Sequence, residues 1–422
     1  MPPPLLVLSN GHGEDAIALR LVEALHRRLA GLEIAVLPLV GEGQSFASAE
    51  EGGLVRRVGP RRSLPSGGFS NQSLSGLRRD LAAGLPQLSW RQWQWVRAWG
   101  RSGAPVLAVG DLLPLLLAWA SGAPFGFIGT PKSDFTWASP PPPGWGATPL
   151  ADGYHACKGS EWDPWEWRLM GHRRCRLVAV RDRLTARGLR RRGVAALAPG
   201  NPMTDGFEAA DAPPAWLARQ QRLLLLAGSR MPEALENAAR MLTALEQWRP
   251  QGPTALLVAS TSRPTATEWH TLLTARGWRP LPPDPERAGT GADSRWGRGP
   301  LTLLLGSGCF GRWARWAELG LATAGTATEQ LTGLGVPALS LPGPGPQFKA
   351  GFARRQSRLL GGAVQPCHGS AELVEQLSRW LADPGLRARL GRIGRHRMGP
   401  PGGSDRLAEL IEQRLLRTDR LG

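Results

Sequence analysis

Lysine and tyrosine are nearly missing from this chain: 422 residues hold three lysines (Lys132, Lys158, Lys349) and one tyrosine. Cysteine is also scarce, and Cys157, Cys175, Cys309 and Cys367 form no C-x-x-C pair. This spacing suggests neither a disulfide framework nor a thiolate zinc site, and it fits a reducing cytosol. His155 and His172, in YHACKGSEWDPWEWRLMGH, show no ligand spacing with the cysteines, so no metal site is expected there. No D-x-D triplet occurs, which argues against a carboxylate clamp on a metal–diphosphate complex. MPPPLLVLS lacks the basic segment and the length of a signal peptide. One apolar stretch, APVLAVGDLLPLLLAWASGAPFGFIG (104–129), resembles a membrane span. Asp111, Pro114, Gly122 and Pro124 break it into a strand (105–109), a buried helix (112–121) and a second strand (125–128).

Arginine and tryptophan are what the chain has instead. The net charge of +17 is almost entirely arginine. It favours anionic partners such as nucleotide phosphates or an acidic lipid surface, although genome composition accounts for it equally well. The arginines are dispersed, and no helix-turn-helix, RRM or zinc-finger pattern appears, so no nucleic-acid partner is expected. The 18 tryptophans include a cluster in LSWRQWQWVRAWGR (88–101), with Arg91, Arg97 and Arg101 interspersed. A helix there either rests its rings on anionic lipid headgroups or faces the core with solvated arginines.

The length calls for two domains. Short apolar runs alternate with helix-length segments throughout. Candidate strands are 4–8, 33–38, 105–109, 125–128 and 176–180, then 222–227, 254–259, 301–305, 320–324 and 337–341. Helical patterns occupy 14–30, 183–192, 232–247, 265–276, 327–334 and 370–382. The alternation predicts α/β domains with doubly wound parallel sheets, Rossmann-like, and two such domains facing each other make an interdomain cleft. The turn-rich APGNPMTDGFEAADAPPAW (198–216) marks the division. The predicted domains are therefore 1–200 and 201–403, followed by a terminal helix in 404–422. Irregular insertions at 59–76, 138–150 and 279–300 read as surface loops or lids.

Two regions carry candidate chemistry. LSNGHGEDA (8–16) ends the first strand in a turn that places His12 between Gly11 and Gly13. The glycines clear space for a ligand, and an imidazole is a natural general base near neutral pH. The alternative is a turn residue bonded to its own loop. Asp111 follows the strand VLAVG and is either a partner in proton transfer or the N-cap of the next helix, roles that are compatible. In LATAGTATEQLTGLGVPALSLPGPGPQF (321–348), a strand runs into Thr326-Ala327-Thr328-Glu329, which opens a helix. Small residues there let a phosphate approach the free N–H groups of the first turn, and Glu329 is placed to accept from a ribose diol.

This segment, A-G-T-A-T-E followed by L-G-V-P-A-L, resembles the nucleotide-sugar-binding region of GT-B glycosyltransferases, among them the MurG-like enzymes and lipid-A-disaccharide synthase. LLLLAGSRMPEALENAARML (223–242) resembles the synthase's strand–Gly-Ser-Arg–helix motif. APGNPMTDGF (198–207) resembles its domain-junction segment, and VLAVGDLLPLLLA (106–118) its strand ending in Gly-x-Asp-x-Pro. The likeness covers about 198–362 well and the first domain in patches. The chain is identified as a member of a lipid-A-disaccharide-synthase-related family without an assigned substrate.

The resemblance implies the GT-B fold and transfer of a sugar, with inversion, from a UDP-sugar to a lipid-linked acceptor at the cytoplasmic face of a membrane. UDP-sugar is then a co-substrate, and neither a cofactor nor a metal is expected. Donor binding falls to Gly228, Ser229, Arg230, Thr326, Ala327, Thr328, Glu329 and Gln347. His12 and Asp111 are the catalytic candidates. Gly11, Gly13, Glu14, Asp15 and Asn201 are the acceptor-side candidates, Asn201 being equally readable as a turn cap. Two departures bear on substrate. The synthase has G-E-x-S-G-D where this chain has Asn10-Gly11-His12-Gly13-Glu14-Asp15, and GPGPQF is more like the MurG-type glutamine segment. A UDP-sugar 2-epimerase, a non-catalytic sugar-nucleotide sensor and a structural protein of the membrane surface are the competing readings.

Overall fold

Strand residues that are apolar on both faces must be covered on both faces, and here they are. In the computed structural model, the described residues are 3–63, 74–207, 211–343 and 348–417, without the side chains of residues 12 and 74–77. Two sheets form among them. The first contains β1 (Leu5–Ser9), β2 (Ile34–Pro38), β3 (Arg56–Arg57), β4 (Val106–Gly110), β5 (Phe125–Gly129), β6 (Cys175–Val180) and β7 (Ala196–Leu197). Its order is β3-β2-β1-β4-β5-β6-β7, parallel throughout. The second contains β8 (Gln221–Leu226), β9 (Thr254–Ser260), β10 (Arg279–Pro280), β11 (Ser294–Arg298), β12 (Leu301–Ser307), β13 (Leu319–Ala322), β14 (Ala338–Ser340) and β15 (Val364–Pro366). Its order is β10-β11-β12-β9-β8-β13-β14-β15.

In each sheet the chain starts at a central strand, builds one side of the sheet and then returns to build on that strand's other side. The reversal lies between β1 and β4 in the first sheet and between β8 and β13 in the second. Crevices beyond the carboxyl ends of strands at such a point are where this architecture holds ligands.

The chain divides into two compact units. The first comprises 1–138, 149–205 and 399–422; the second comprises 139–148 and 206–398. The sequence places the division at 200/201, whereas the units part at 205/206 and residues 139–148 join the second. In the first unit, Leu6, Leu8, Val106, Ala108, Phe125 and Phe127 pack into one core with Leu115 and Trp162. The helix Gly403–Ile411 lies against the helix His12–Arg28, with Arg27 bonded to Asp405 at 2.8 Å and Arg28 paired with Glu412. In the second unit, Leu223, Leu256, Leu303 and Leu321 meet Leu242, Trp269 and Leu377.

Two expected insertions have defined structure. Residues 279–300 contain β10 and β11, antiparallel to each other, and β11 is antiparallel to β12. The glycines and prolines of this segment punctuate short strands. In the second unit's segment 139–148, Trp145 stacks on His368 with ring centroids 4.4 Å apart, and its Nε1 donates to the Pro366 carbonyl at 3.1 Å. Part of the insertion 59–76 lies outside the described residues.

The cluster 88–101 sits on the helix Leu85–Gly100, whose Leu88, Gln92 and Val96 are buried. Trp93, Trp95 and Trp99 pack against the first core, while Trp90 is 57% exposed. Most of the rings therefore serve the core. The segment 104–129 is strand, helix and strand, and no helix among the described residues is long and apolar enough to cross a membrane.

Candidate functional site

At the reversal in the first sheet, the ends of β1 and β4 lie side by side, with Ser9 paired to Val109. The residues that follow the two strands meet: Asn10 Nδ2 donates to Asp111 Oδ1 at 2.6 Å. The same oxygen accepts from Leu113 N at 3.2 Å, so Asp111 also caps the helix Leu112–Ala120. Gly110 makes the approach possible. Its φ is +133°, and a Cβ there would stand 2.0 Å from Asn10 Oδ1. A side chain at this position would collide with the amide and strain the backbone as well.

The turn after β1 is held from within. Ser9 Oγ donates to Asp15 Oδ1 at 2.5 Å, and Asp15 N donates to the Gly11 carbonyl at 2.7 Å. Asp15 is 2% exposed, and burial pushes its carboxyl up to about 6 against the opposing pull of the Ser9 hydroxyl. It is part of the turn's frame. Gly11 N-caps the helix His12–Arg28, Gly13 lies in its first turn, and Glu14 Oε2 comes within 3.4 Å of where a Gly11 Cβ would stand. The backbone thus puts His12 on the first helical residue beside the Asn10–Asp111 pair. The His12 side chain and Gln347 lie outside the described residues.

Asn201 is 3% exposed, and its Oδ1 accepts from Met203 N at 3.1 Å. It caps a turn that Arg20 grips through the carbonyls of Pro202 and Met203, both at 2.7 Å. Asp205 completes the joint by accepting from Gly402 N at 2.7 Å and Ser404 N at 2.6 Å at the start of the terminal helix. The geometry gives this motif the turn-cap role.

At the reversal in the second sheet, β8 ends in Gly228-Ser229-Arg230 and β13 in Thr323-Ala324-Gly325. Paired β13 and β8 bring the two ends together, with Ala322 opposite Leu226. Thr323 N donates to the Leu226 carbonyl at 2.9 Å, and its hydroxyl lies 3.3 Å from the Ala227 carbonyl. Gly228 has φ +96° with no atom within 4 Å of a Cβ position, and Gly228 and Ser229 are exposed. The helix Thr326–Gly333 opens at Gly325 without a side-chain cap. Thr328 Oγ1 donates back to the Ala324 carbonyl at 2.6 Å, and Gly325 offers no side chain to cap the first turn's N–H groups. Two of the donor segments, 228–230 and 326–329, therefore share one end of one sheet.

Supports around this end were not visible in the sequence. Gln356, 2% exposed, donates to the carbonyls of Ala324 at 3.3 Å and Gly325 at 3.1 Å, holding the loop before the helix. Asn237 Nδ2 donates to the Ala227 carbonyl at 3.0 Å. Arg240 bonds Asn237 Oδ1 at 2.5 Å and the Pro342 carbonyl at 2.6 Å, tying the ends of β8 and β14. Polar residues three apart on the otherwise apolar face of 233–247 were the available signal. The helix Pro384–Met398 backs the helix Thr326–Gly333 through glycine: a Cβ on Gly394 would lie 2.5 Å from the Thr332 carbonyl.

Beyond β5 and β6 lies a buried ionic cluster that uses two of the three lysines. Lys132 Nζ bonds both oxygens of fully buried Glu166, at 2.7 and 2.6 Å, and Lys158 pairs with Asp163. Asp134 accepts from Glu161 N at 2.7 Å, and burial, with help from Asp182, lifts its carboxyl to about 7.

No protein-family model matches the chain, and no curated protein resembles it in sequence. Solved structures resemble it in fold. A putative UDP-N-acetylglucosamine 2-epimerase from Listeria monocytogenes, 12% identical, superposes with a TM-score of 0.59, covering 100% of this chain and 99% of its own. MurG from Acinetobacter baumannii is 15% identical, with a TM-score of 0.54 over 97% of this chain and 100% of its own. CalG4, the calicheamicin glycosyltransferase, is 15% identical, with a TM-score of 0.56 over 99% and 100%. The chain has the expected GT-B fold, built from two Rossmann-like α/β domains.

Proposed function

We propose that the chain is a sugar-nucleotide enzyme that transfers a sugar from a UDP-sugar, with inversion, to a lipid-linked acceptor. Lipid-A-disaccharide synthesis is the nearest named activity. The observation that carries this reading is the placement of Gly228–Arg230 and Thr326–Glu329 at the same end of the second sheet, at its reversal. An open glycine turn, an arginine and an uncapped helix start suit a diphosphate, and Glu329 in that first turn suits a ribose diol. Gln347 and Arg230 complete the donor set.

In this reading the first unit receives the acceptor beside Asn10, Gly11, Gly13 and Asp111. The acceptor hydroxyl gives its proton to His12, oriented by Asp111, or to Asp111 directly. Its oxygen bonds the anomeric carbon as the bond to the diphosphate breaks. UDP leaves with its charge held by Arg230 and the N–H groups of residues 326–328, with no metal required.

The lipid side of the proposal rests on a different feature. The large apolar side chains exposed among the described residues are Leu81, Trp90, Leu116, Trp119, Leu150, Tyr154 and Trp165, and all belong to the first unit. The helices Leu85–Gly100, Leu112–Ala120 and Pro164–Met170, which carry four of them, pack side by side in that order. Exposed apolar groups gathered on one layer suit a membrane surface at the cytoplasmic side.

A second reading, a UDP-sugar 2-epimerase, is favoured by the fold likeness to the Listeria structure. It requires the donor site but no apolar acceptor surface. The test of the shared donor claim is calorimetric titration with UDP and UDP-hexoses. UDP binding that Glu329→Ala and Arg230→Ala weaken supports both readings; no UDP binding by the intact protein removes both.

A further inference from the structure

A cavity of about 460 Å³ in the first unit is lined by three arginines. Arg61 and Arg62 come from the segment leaving β3, and Arg91 from the helix Leu85–Gly100, with Pro60, Gly84 and Gln87 completing the wall used here. Among the described residues no carboxylate lines it. Among the described residues none of the three guanidinium groups makes a hydrogen bond or ion pair. Glu50 feels Arg61 electrostatically, but its hydrogen bonds go to Arg57 N at 2.8 Å and Arg57 Nε at 2.6 Å.

The helix start adds to the same field. Gly84 N-caps the 16-residue helix in the left-handed region, no side chain caps it, and its first turn holds no acid. The positive end of the helix dipole and three arginine charges thus face one volume with no carboxylate among its described lining residues.

The cavity is built rather than incidental. Buried Gln92 ties the helix to the Leu39 carbonyl at 3.0 Å and to the carbonyl of the lining residue Pro60 at 3.3 Å. Arg62 is bridged antiparallel to Gly41. Leu39 N in turn donates to the Ser9 carbonyl at 2.7 Å. The cavity therefore stands beyond the carboxyl ends of β2 and β3, on the edge of the sheet where β1 and β4 present Asn10 and Asp111.

We infer that this cavity binds a phosphate or diphosphate ester. Planar guanidinium forks match phosphate oxygens in pairs, and about 460 Å³ accommodates a diphosphate with part of its ester. The inference concerns binding alone, and it holds whether the chain transfers or epimerises a sugar. The ester is either a soluble molecule or a lipid headgroup, and the two sources share this recognition chemistry.

The test measures two probes at fixed ionic strength with the full chain: inorganic pyrophosphate by calorimetry, and phosphatidylcholine vesicles containing phosphatidic acid by co-sedimentation. The doubly substituted Arg61→Ala/Arg91→Ala protein is compared with Arg168→Ala/Arg173→Ala, which removes the same charge elsewhere on the first unit. Gln87→Glu, which places a carboxylate in the cavity without removing an arginine, guards against a folding defect. Pyrophosphate affinity is expected to fall about tenfold or more in both cavity variants and to hold in the control pair. A parallel fall in vesicle binding supports a lipid-borne phosphate; unchanged vesicle binding supports a soluble ester. Equal pyrophosphate affinity in the parent and both cavity variants, or an equal fall in the control pair, overturns the inference.

Discussion

Asn10 and Asp111, 101 residues apart in sequence, are joined by a 2.6 Å hydrogen bond at the reversal of the first sheet. The amide fixes one carboxylate oxygen, and the helix start of Leu112–Ala120 fixes it again through Leu113 N. If Asp111 handles or steers the acceptor's proton, the two residues act as a unit. Asp111→Asn should lower kcat by roughly a hundredfold or more, and Asn10→Ala by about tenfold. The double variant should be no slower than Asp111→Asn alone. Rate losses that simply multiply would show that Asn10 serves something other than Asp111.

Donor binding and turnover separate by residue. Glu329→Ala should weaken UDP-sugar binding by about tenfold, the loss expected for one charge-assisted hydrogen bond. His12→Ala should leave that affinity in place and lower turnover. Undiminished turnover in His12→Ala moves the base assignment to Asp111.

Gln356 offers a test of the loop that carries the donor residues. Gln356→Leu keeps the volume but removes both bonds to the carbonyls of Ala324 and Gly325. Each carbonyl keeps one donor, Thr328 Oγ1 at Ala324 and Glu329 N at Gly325, so the cost is that of two lost bonds, about 1–3 kcal/mol of stability, and donor affinity should fall with it. Urea unfolding and UDP titration on the same preparation check both effects. Lost stability with unchanged UDP affinity would mean that the loop's position does not matter to the donor.

Asp15 predicts a pH dependence whose sign follows from its burial. A carboxyl raised from 3.8 to about 6 in the folded chain favours the protonated form. Its contribution to stability is complete below pH 3.8 and is lost as pH rises through about 6. The loss is on the order of 3 kcal/mol. Asp15→Asn has no such loss, so its stability relative to the parent should climb between pH 4 and pH 7. Hydrogen exchange of the β1 and β4 amides, followed across that range, measures it; a constant difference contradicts the assignment.

The exposed apolar layer makes a separate claim. Trp90→Ala with Trp119→Ala should reduce co-sedimentation with anionic vesicles while leaving UDP binding unchanged. Equal vesicle binding would take the lipid surface away from these helices.

Much of the architecture was legible because the physics is local. Buried parallel strands are short unbroken apolar runs, so β1, β4, β8, β9 and β12 stand where their sequences place them, and the Gly-Ser-Arg and Thr-Ala-Thr-Glu segments follow their strands directly. What escaped was long-range or disguised. Asn10 read only as a turn residue, since nothing nearby in sequence shows that Gly110 clears room for its amide. The strands β10 and β11 were hidden in a segment whose glycines and prolines read as a loop, although their ladder bonds are made to each other and to β12. The tryptophans of 88–101 read either as a lipid surface or as a core face, and three of them pack against the core, a choice that only tertiary packing makes. Asp15 and Asn201 carried the polarity of site residues, and both are buried as parts of turns.

The most direct test of the central claim is product analysis of purified protein incubated with a panel of UDP-sugars, with and without a polar lipid extract. The account predicts release of UDP that depends on the extract, with the sugar recovered on a lipid. Release or epimerisation of the UDP-sugar to the same extent without lipid would contradict it.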